Sequence, residues 1–97
     1  MPEGQTRKTI LLVEDDDFVG RAYKDGLLRA GFLVETARDG NEALKKAKGT
    51  RPDLIILDLV MPLKNGFEVL EELRKDQAFS ALPIVVVSNL GQETDIE

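Results

Sequence analysis

The chain has 97 residues, a length that fits one domain with a modest hydrophobic core. It contains no cysteine and no histidine, which excludes a disulfide framework and argues against a zinc site, so any bound metal should be a hard cation held by oxygen ligands. The net charge of −5 argues against direct nucleic-acid binding, and no apolar segment is long enough to span a membrane. Because the amino terminus carries no signal peptide, we expect a cytoplasmic protein.

Strand-like apolar runs alternate with helix-like periodicity from the start of the chain. Residues 1–8 are polar and are predicted to form a flexible tail, and Thr9–Val13 is predicted to be the first strand. Apolar residues then recur at helical spacing over about residues 18–30, and Gly31 follows as a helix stop. Residues 32–37 predict a short strand with one polar face, which is typical of a sheet edge.

The next helix and strand carry clearer signals. Residues 39–42 resemble a capping box, with Asp39 as the cap and Glu42 at the third helical position. The helix after this box is predicted to end near Gly49, because glycine favours helix ends and a proline follows shortly. A continuous apolar run then ends on an acid, so Leu54–Asp58 predicts a strand buried on both faces.

A second capping pattern at residues 65–68 opens a third helix, which is predicted to end around Asp76. Ile84–Val87 predicts a fourth strand, and residues 91–97 indicate the beginning of another helix. Strands that alternate with helices form parallel sheets through right-handed crossovers. We therefore predict an α/β fold of the flavodoxin-like type, with three αβα layers and the parallel sheet order 2-1-3-4.

Acidic residues follow two of the predicted strands. Glu14 and Asp15 come after the first strand, and Asp58 ends the third. Since these strands are neighbours in the predicted order, the three carboxylates should share one pocket, where a divalent ion such as Mg²⁺ would relieve their repulsion. An aspartate beside Mg²⁺ can attack a phosphoryl group and form an aspartyl phosphate. Ser88, at the end of the fourth strand, would point its hydroxyl into the same pocket.

Other uses of such a sheet fit the residues less well. The loop after the first strand contains neither Gly-x-Gly-x-x-Gly nor Gly-x-x-x-x-Gly-Lys, and its acids would repel a pyrophosphate, so a nucleotide site is disfavoured. A hydrolase of phosphate esters would want a second acid two residues after the nucleophile, and that position is Val60. Asp58 alone could be a turn acid that caps the next helix, but the second acidic cluster favours a site.

Five segments resemble the receiver domain of two-component response regulators, the phosphoacceptor modules of bacterial signalling. They keep the family's order and spacing across residues 9 to 91, and they are residues 10–16, 37–44, 52–62, 65–66 and 83–88. The resemblance is to receivers of the chemotaxis-regulator type. It implies that a phosphorylated partner supplies the phosphoryl group and that the domain then passes on a conformational signal.

The resemblance also implies roles for individual residues. Asp58 would be the phosphoacceptor, Asp15 would bind Mg²⁺ directly, and Glu14 would act through a bound water. Val60 would contribute its backbone carbonyl to the metal, and Ser88 stands at the family's Ser/Thr switch position, whose hydroxyl bonds the phosphoryl group. Asp16 and Asp17 match no ligand position and are predicted to be capping or solvated acids.

The implied phosphodonor is a histidine kinase or a phosphotransfer protein, and the implied activity is at most slow self-phosphorylation and dephosphorylation rather than that of an enzyme. The alternative interpretation is an interaction or assembly module that keeps the fold without being phosphorylated. Labelling of Asp58 by a small phosphodonor separates these two interpretations.

The chain departs from the family pattern at its carboxyl end. The family continues with a fourth helix, a fifth strand and a fifth helix, and these 97 residues contain only a stub of them after Gly91. The family's fifth-strand lysine, which pairs with the acceptor carboxylate, has no counterpart, since Lys64 and Lys75 do not match it. We therefore expect impaired phosphorylation. We also expect self-association through the apolar edge of the fourth strand, formed by Ile84, Val85, Val86 and Val87.

Overall fold

The structure, a computed structural model, describes residues 7–58 and 66–87. Four parallel strands form one sheet in the order β2-β1-β3-β4, which confirms the predicted flavodoxin-like topology. The strands are β1 (Thr9–Val13), β2 (Leu33–Ala37), β3 (Leu54–Asp58) and β4 (Ile84–Val87). The helices are α1 (Asp17–Arg29), α2 (Gly40–Thr50) and α3 (Gly66–Lys75), and a 3₁₀ turn (Gln77–Phe79) follows α3.

One face of the sheet carries most of the hydrophobic core. The strand register pairs Leu11 with Ile55 and Val13 with Leu57, so these four side chains point to the same face, and each is at most 1% exposed. Buried residues of α2 and α3 complete this core, namely Ala43, Ala47, Val69 and Leu73. Burial of this apolar face is the main stabilising contribution that the sheet and its helices make together.

The other face of the sheet is covered less completely. Ile10 and Leu12 of β1 point to it and are buried, which agrees with the continuous apolar run in the sequence. Helix α1 packs against β1 and β2, yet none of its residues is fully buried. Val85 of β4 pairs with Ile56 on this face and is 49% exposed. The apolar face of α1 is therefore only partly used within the described part of the chain.

Helix α2 runs one residue past Gly49, to Thr50, and its cap is the residue after that. Gly49 lies inside the helix, and the residue that ends it is Arg51, which has left-handed backbone angles (φ 50°, ψ 66°) and donates its N–H to the carbonyl of Ala47. Pro52 explains the position, because proline disfavours the right-handed helical conformation in the residue before it. The helix must leave its regular geometry at Arg51, whether or not a glycine is there.

Replacing Arg51 with glycine is expected to stabilise the fold by about 1 kcal/mol, since a left-handed conformation costs about that much for a residue with a Cβ. Urea unfolding followed by circular dichroism measures the change. Arg51→Ala is the control, because alanine loses the same charge but keeps the strain. Equal stability of the two variants would contradict the expected role of the backbone angles.

Side-chain hydrogen bonds of Asp76 and Arg74 hold the connection between α3 and β4. Asp76 caps the 3₁₀ turn by accepting a hydrogen bond from the N–H of Ala78 at 2.9 Å, and Phe79 enters the core at 7% exposure. Arg74 donates from Nη1 to the carbonyls of Phe79, Ser80 and Leu82 at 3.1, 3.1 and 2.8 Å. Neither this turn nor the burial of Phe79 was predicted from the sequence.

The predicted amino-terminal tail is joined to the sheet at Lys8, its last residue. Lys8 accepts a hydrogen bond from the N–H of Leu33, so its backbone is joined to the start of β2. The predicted tail otherwise falls mostly on residues 1–6, outside the described residues.

No helix in the described part of the chain is long and apolar enough to cross a membrane.

Candidate functional site

Three carboxylates meet at the carboxyl end of β1 and β3. One oxygen each of Glu14, Asp15 and Asp58 lies within 4.8 Å of the other two. The register pairs Val13 with Leu57, so the residues that follow this pair lie side by side at the sheet edge. Glu14 and Asp58 are buried, at 7% and 2% exposure, and Asp15 is half-buried. The structure thus brings together the three acids that the sequence singled out.

Two hydrogen bonds orient the loop that carries Glu14. Its N–H donates to the carbonyl of Ala37 at the end of β2, and its Oε2 accepts from the N–H of Asp16 at 3.2 Å. Asp16 caps α1, accepting from the N–H groups of Phe18 and Val19 at 2.9 and 3.0 Å. The cap starts the helix just after the acids, so the loop between β1 and α1 is short and its carboxylates stay at the sheet edge.

The buried acids repel one another. The pKa of Glu14 is raised from 4.5 to about 7, and the largest cause is its burial. The N–H of Asp16 lowers this pKa, whereas the charges of Asp58 and Asp15 and a hydrogen bond with Asp58 raise it. Near neutral pH the Glu14 carboxyl is therefore partly protonated. A cation among these oxygens would replace the proton and remove the repulsion.

The donor set fits Mg²⁺. This ion takes oxygen ligands, binds through one or two carboxylates, keeps several waters and accepts phosphate oxygens. The cluster offers one half-buried and two buried carboxylates, whose oxygens lie within 4.8 Å of one another. Among residues 7–58 and 66–87, no other group of three acids is close enough to share an ion.

Arg38 lies at the same edge and was not singled out from the sequence. Its Nε lies 3.3 Å from Oδ1 of Asp17, with both side chains largely exposed. The backbone N–H of Arg38 donates to Oε1 of Glu42 at 2.8 Å. Asp39 caps α2 by accepting a hydrogen bond from the backbone N–H of Glu42 at 2.9 Å. The predicted capping box is thus formed with Glu42 reaching the residue before the cap. The sequence did contain one indication of this position. Arg38 directly follows β2, so it lies at the carboxyl end of the strand next to β1.

Arg38 also borders a cavity of about 330 Å³ beside Glu14, which has Gly20, Arg21, Lys24 and Thr36 among its lining residues. A Cβ at Gly20 would lie 3.7 Å from Cγ of Glu14, an ordinary contact, so glycine is not required there by space. The cavity therefore lies between Glu14 and α1, and Arg21 and Lys24 of α1 give its lining positive charge.

Two predicted site residues, Val60 and Ser88, lie outside the described residues, and so does the stub after Gly91. Their roles stay predictions. Asp16 and Asp17, which were predicted to be capping or solvated acids, are a helix cap and a surface ion-pair partner, respectively.

A parallel sheet in the order 2-1-3-4, with three acids at the ends of its two central strands, defines a receiver-like signalling module. The family described as the response regulator receiver domain matches residues 10–97. The chain therefore belongs to the response regulator receiver family.

Similar proteins in curated collections carry this module within longer chains. The alkaline phosphatase synthesis transcriptional regulatory protein PhoP of Bacillus subtilis is 40% identical over 88 residues, which cover 91% of this chain and 36% of that protein. A protein-glutamate methylesterase/protein-glutamine glutaminase of Caldanaerobacter subterraneus is 40% identical over 86 residues, covering 87% of this chain and 23% of that protein. The chain spans little more than a third of the first relative's length.

Solved structures agree with the fold. The phosphorylated cyanobacterial phytochrome response regulator RcpA is 39% identical, with a TM-score of 0.81, and the alignment covers 94% of this chain and 71% of that one. The chemotaxis response regulator CheY4 of Vibrio cholerae is 38% identical, with a TM-score of 0.81, covering 84% of this chain and 68% of that one. Both are response regulators, as the family match requires.

Proposed function

We propose that this chain accepts a phosphoryl group on Asp58, in a Mg²⁺-dependent way, from a histidine kinase or a phosphotransfer protein. The observation that carries the proposal is the position of Asp58, a carboxylate only 2% exposed, with Glu14 and Asp15 within 4.8 Å in a chain of the receiver family. A buried acid at the end of a parallel strand is placed where α/β sheets bind ligands.

In the proposed step, a carboxylate oxygen of Asp58 attacks the phosphorus of a phosphohistidine. An O–P bond forms, the P–N bond breaks, and the electron pair stays on the imidazole nitrogen, which takes up a proton from solvent. Asp15 would hold Mg²⁺ directly and Glu14 through a water, with the Val60 carbonyl as a further ligand. Bound Mg²⁺ supplies the positive charge that balances the phosphoryl oxygens. The Ser88 hydroxyl would then donate to the phosphoryl group.

Labelling with acetyl phosphate and Mg²⁺, followed by intact mass, tests the proposal. We expect one phosphoryl group on the unchanged chain, none on Asp58→Asn, and strongly reduced labelling of Asp15→Asn. Asp53→Asn is the matched control, because Asp53 lies at the opposite end of β3, where its carboxylate accepts from the N–H of Thr9 and an asparagine oxygen can replace it. Labelling that persists in Asp58→Asn would overturn the assignment.

The same variants locate the metal. The chain has no tryptophan whose fluorescence could report metal binding, so the measurement is the change in amide NMR shifts during a Mg²⁺ titration. The shifts should centre on Glu14 and Asp15 and disappear when Asp15 and Asp58 are both changed to asparagine. Shifts that ignore the double variant would place the ion elsewhere.

The family comparison does not favour the alternative of an unphosphorylated assembly module. Phosphoryl labelling of Asp58 would reject that alternative. We do not assign the activity of the methylesterase relative to this chain, because the match covers only 23% of that protein. We assign no enzymatic turnover beyond slow self-phosphorylation and dephosphorylation. The cytoplasmic location and the absence of direct nucleic-acid contact stay predictions.

We further infer that a polypeptide of these 97 residues self-associates through β4. Within the described residues β4 is one of the two edge strands of the sheet, and its Val85 and Val86 are 49% and 43% exposed. The strand contains no lysine, proline or glycine to block pairing. Pairing about a two-fold axis would make the two β4 strands antiparallel.

Light scattering over a dilution series is expected to show a dimer that dissociates on dilution, and Val85→Lys should shift the equilibrium to monomer. Leu33→Lys is the matched control, since Leu33 is 45% exposed on β2, the opposite edge of the sheet. A folded monomer at high concentration, or equal effects of the two lysines, would contradict pairing through β4.

A further inference from the structure

A separate cavity lies at the opposite end of the sheet from the acids. Its volume is about 390 Å³, within the range of small-molecule sites. Lys48 and Arg51 at the end of α2 line it, together with Pro52 before β3 and with Phe79 and Leu82 before β4. The phosphoacceptor function proposed for Asp58 makes no use of this cavity.

The cavity combines an apolar floor with a rim that carries excess positive charge. Pro52 and Phe79 are buried and Leu82 is half-buried, whereas the side chains of Lys48 and Arg51 are exposed. The acid among the lining residues, Asp76, already accepts a hydrogen bond from the N–H of Ala78. Two cations against one engaged carboxylate complement a ligand that has an anionic group and a compact apolar body.

Arg51 supports a ligand-binding role for this rim. Its left-handed backbone (φ 50°, ψ 66°) is a conformation in which glycine is favoured, yet the chain has a guanidinium side chain there, at the mouth of the cavity. Pro52 accounts for these backbone angles, and the guanidinium adds a second positive charge to the rim beside Lys48. Arginine also recognises carboxylates through its planar pair of donors.

We propose that this cavity binds a small carboxylic acid with an apolar body, such as an aromatic acid. Its ring would pack against Phe79 and Leu82, and its carboxylate would pair with Lys48 and Arg51. Because α2 and the α3–β4 connection both line the cavity, a bound acid would join them and give the domain a second ligand site remote from Asp58.

Amide NMR of the 97-residue chain, titrated with benzoate at constant ionic strength, tests the proposal. We expect saturable shifts at Lys48, Phe79 and Leu82. Benzamide, which lacks the charge, and acetate, which lacks the ring, should each bind more weakly. A cavity that takes benzamide as well as benzoate, or that shows no saturable shifts, would overturn the proposal.

Charge variants complete the test. Arg51→Gly and Lys48→Ala should each weaken benzoate binding roughly two- to fivefold, the range for a partly exposed ion pair. Arg51→Gly is expected to be the more stable protein, so a loss of binding in it would not come from unfolding. Lys45→Ala is the matched control, because Lys45 is exposed on the same helix but does not line the cavity. Unchanged affinity in both rim variants would reject the site.

Discussion

Acetyl phosphate is expected to label a polypeptide of these 97 residues on the order of a hundredfold more slowly than a receiver that carries the family's fifth-strand lysine. The proposed nucleophile, Asp58, and the proposed metal-binding acids are present in the chain, but the resemblance places that lysine on a strand beyond Glu97. Without it, the charge that develops on the phosphoryl oxygens lacks one preorganised cation. Intact mass followed over time gives the rate.

The comparison protein for this rate is the receiver portion of a relative with the lysine in place, assayed under the same Mg²⁺ and phosphodonor concentrations. Its lysine-to-alanine variant should slow to the rate of the present chain. Labelling of the present chain at the rate of the unchanged relative would mean that another chain supplies the cation or that the lysine is dispensable.

The second large effect is a loss of stability with rising pH in the metal-free protein. Glu14 has an ordinary pKa of 4.5 and a pKa of about 7 in the fold, so between these values the folded state binds more protons than the unfolded chain. Stability is then highest below pH 4.5 as far as Glu14 is concerned, and it falls as the pH rises to about 7. The total loss is on the order of 3 kcal/mol, because each pKa unit corresponds to about 1.4 kcal/mol.

Urea unfolding at a series of pH values measures this slope. Glu14→Gln should remove most of it, because the glutamine cannot ionise, and saturating Mg²⁺ should restore stability at the upper end of the range. Glu35→Gln is the control, since Glu35 is exposed on β2 and should leave the slope unchanged. A flat profile in the unchanged chain would contradict the raised pKa of Glu14, and a slope that Mg²⁺ does not reduce would contradict metal binding at these acids.

Most of the sheet could be predicted from the sequence. Strands buried on both faces are nearly continuous apolar runs, so Thr9–Val13 and Leu54–Asp58 were recognisable as central strands with the bounds observed. The polar positions of β2 indicated an edge, and the alternation of strands with helices required parallel pairing. The neighbouring positions of Glu14, Asp15 and Asp58 followed from that topology.

The amino-acid sequence by itself therefore determined the topology and the composition of the acidic cluster, because both depend on local patterns and on chain connectivity. Only the tertiary structure decided how deeply each group is buried. The raised pKa of Glu14, the burial of Phe79 in a 3₁₀ turn and the choice of Arg51 rather than Gly49 to end α2 depend on neighbours from distant segments or on the geometry before a proline. Periodicity shows which face of an element is apolar, but the elements that pack against that face determine how much of it leaves water.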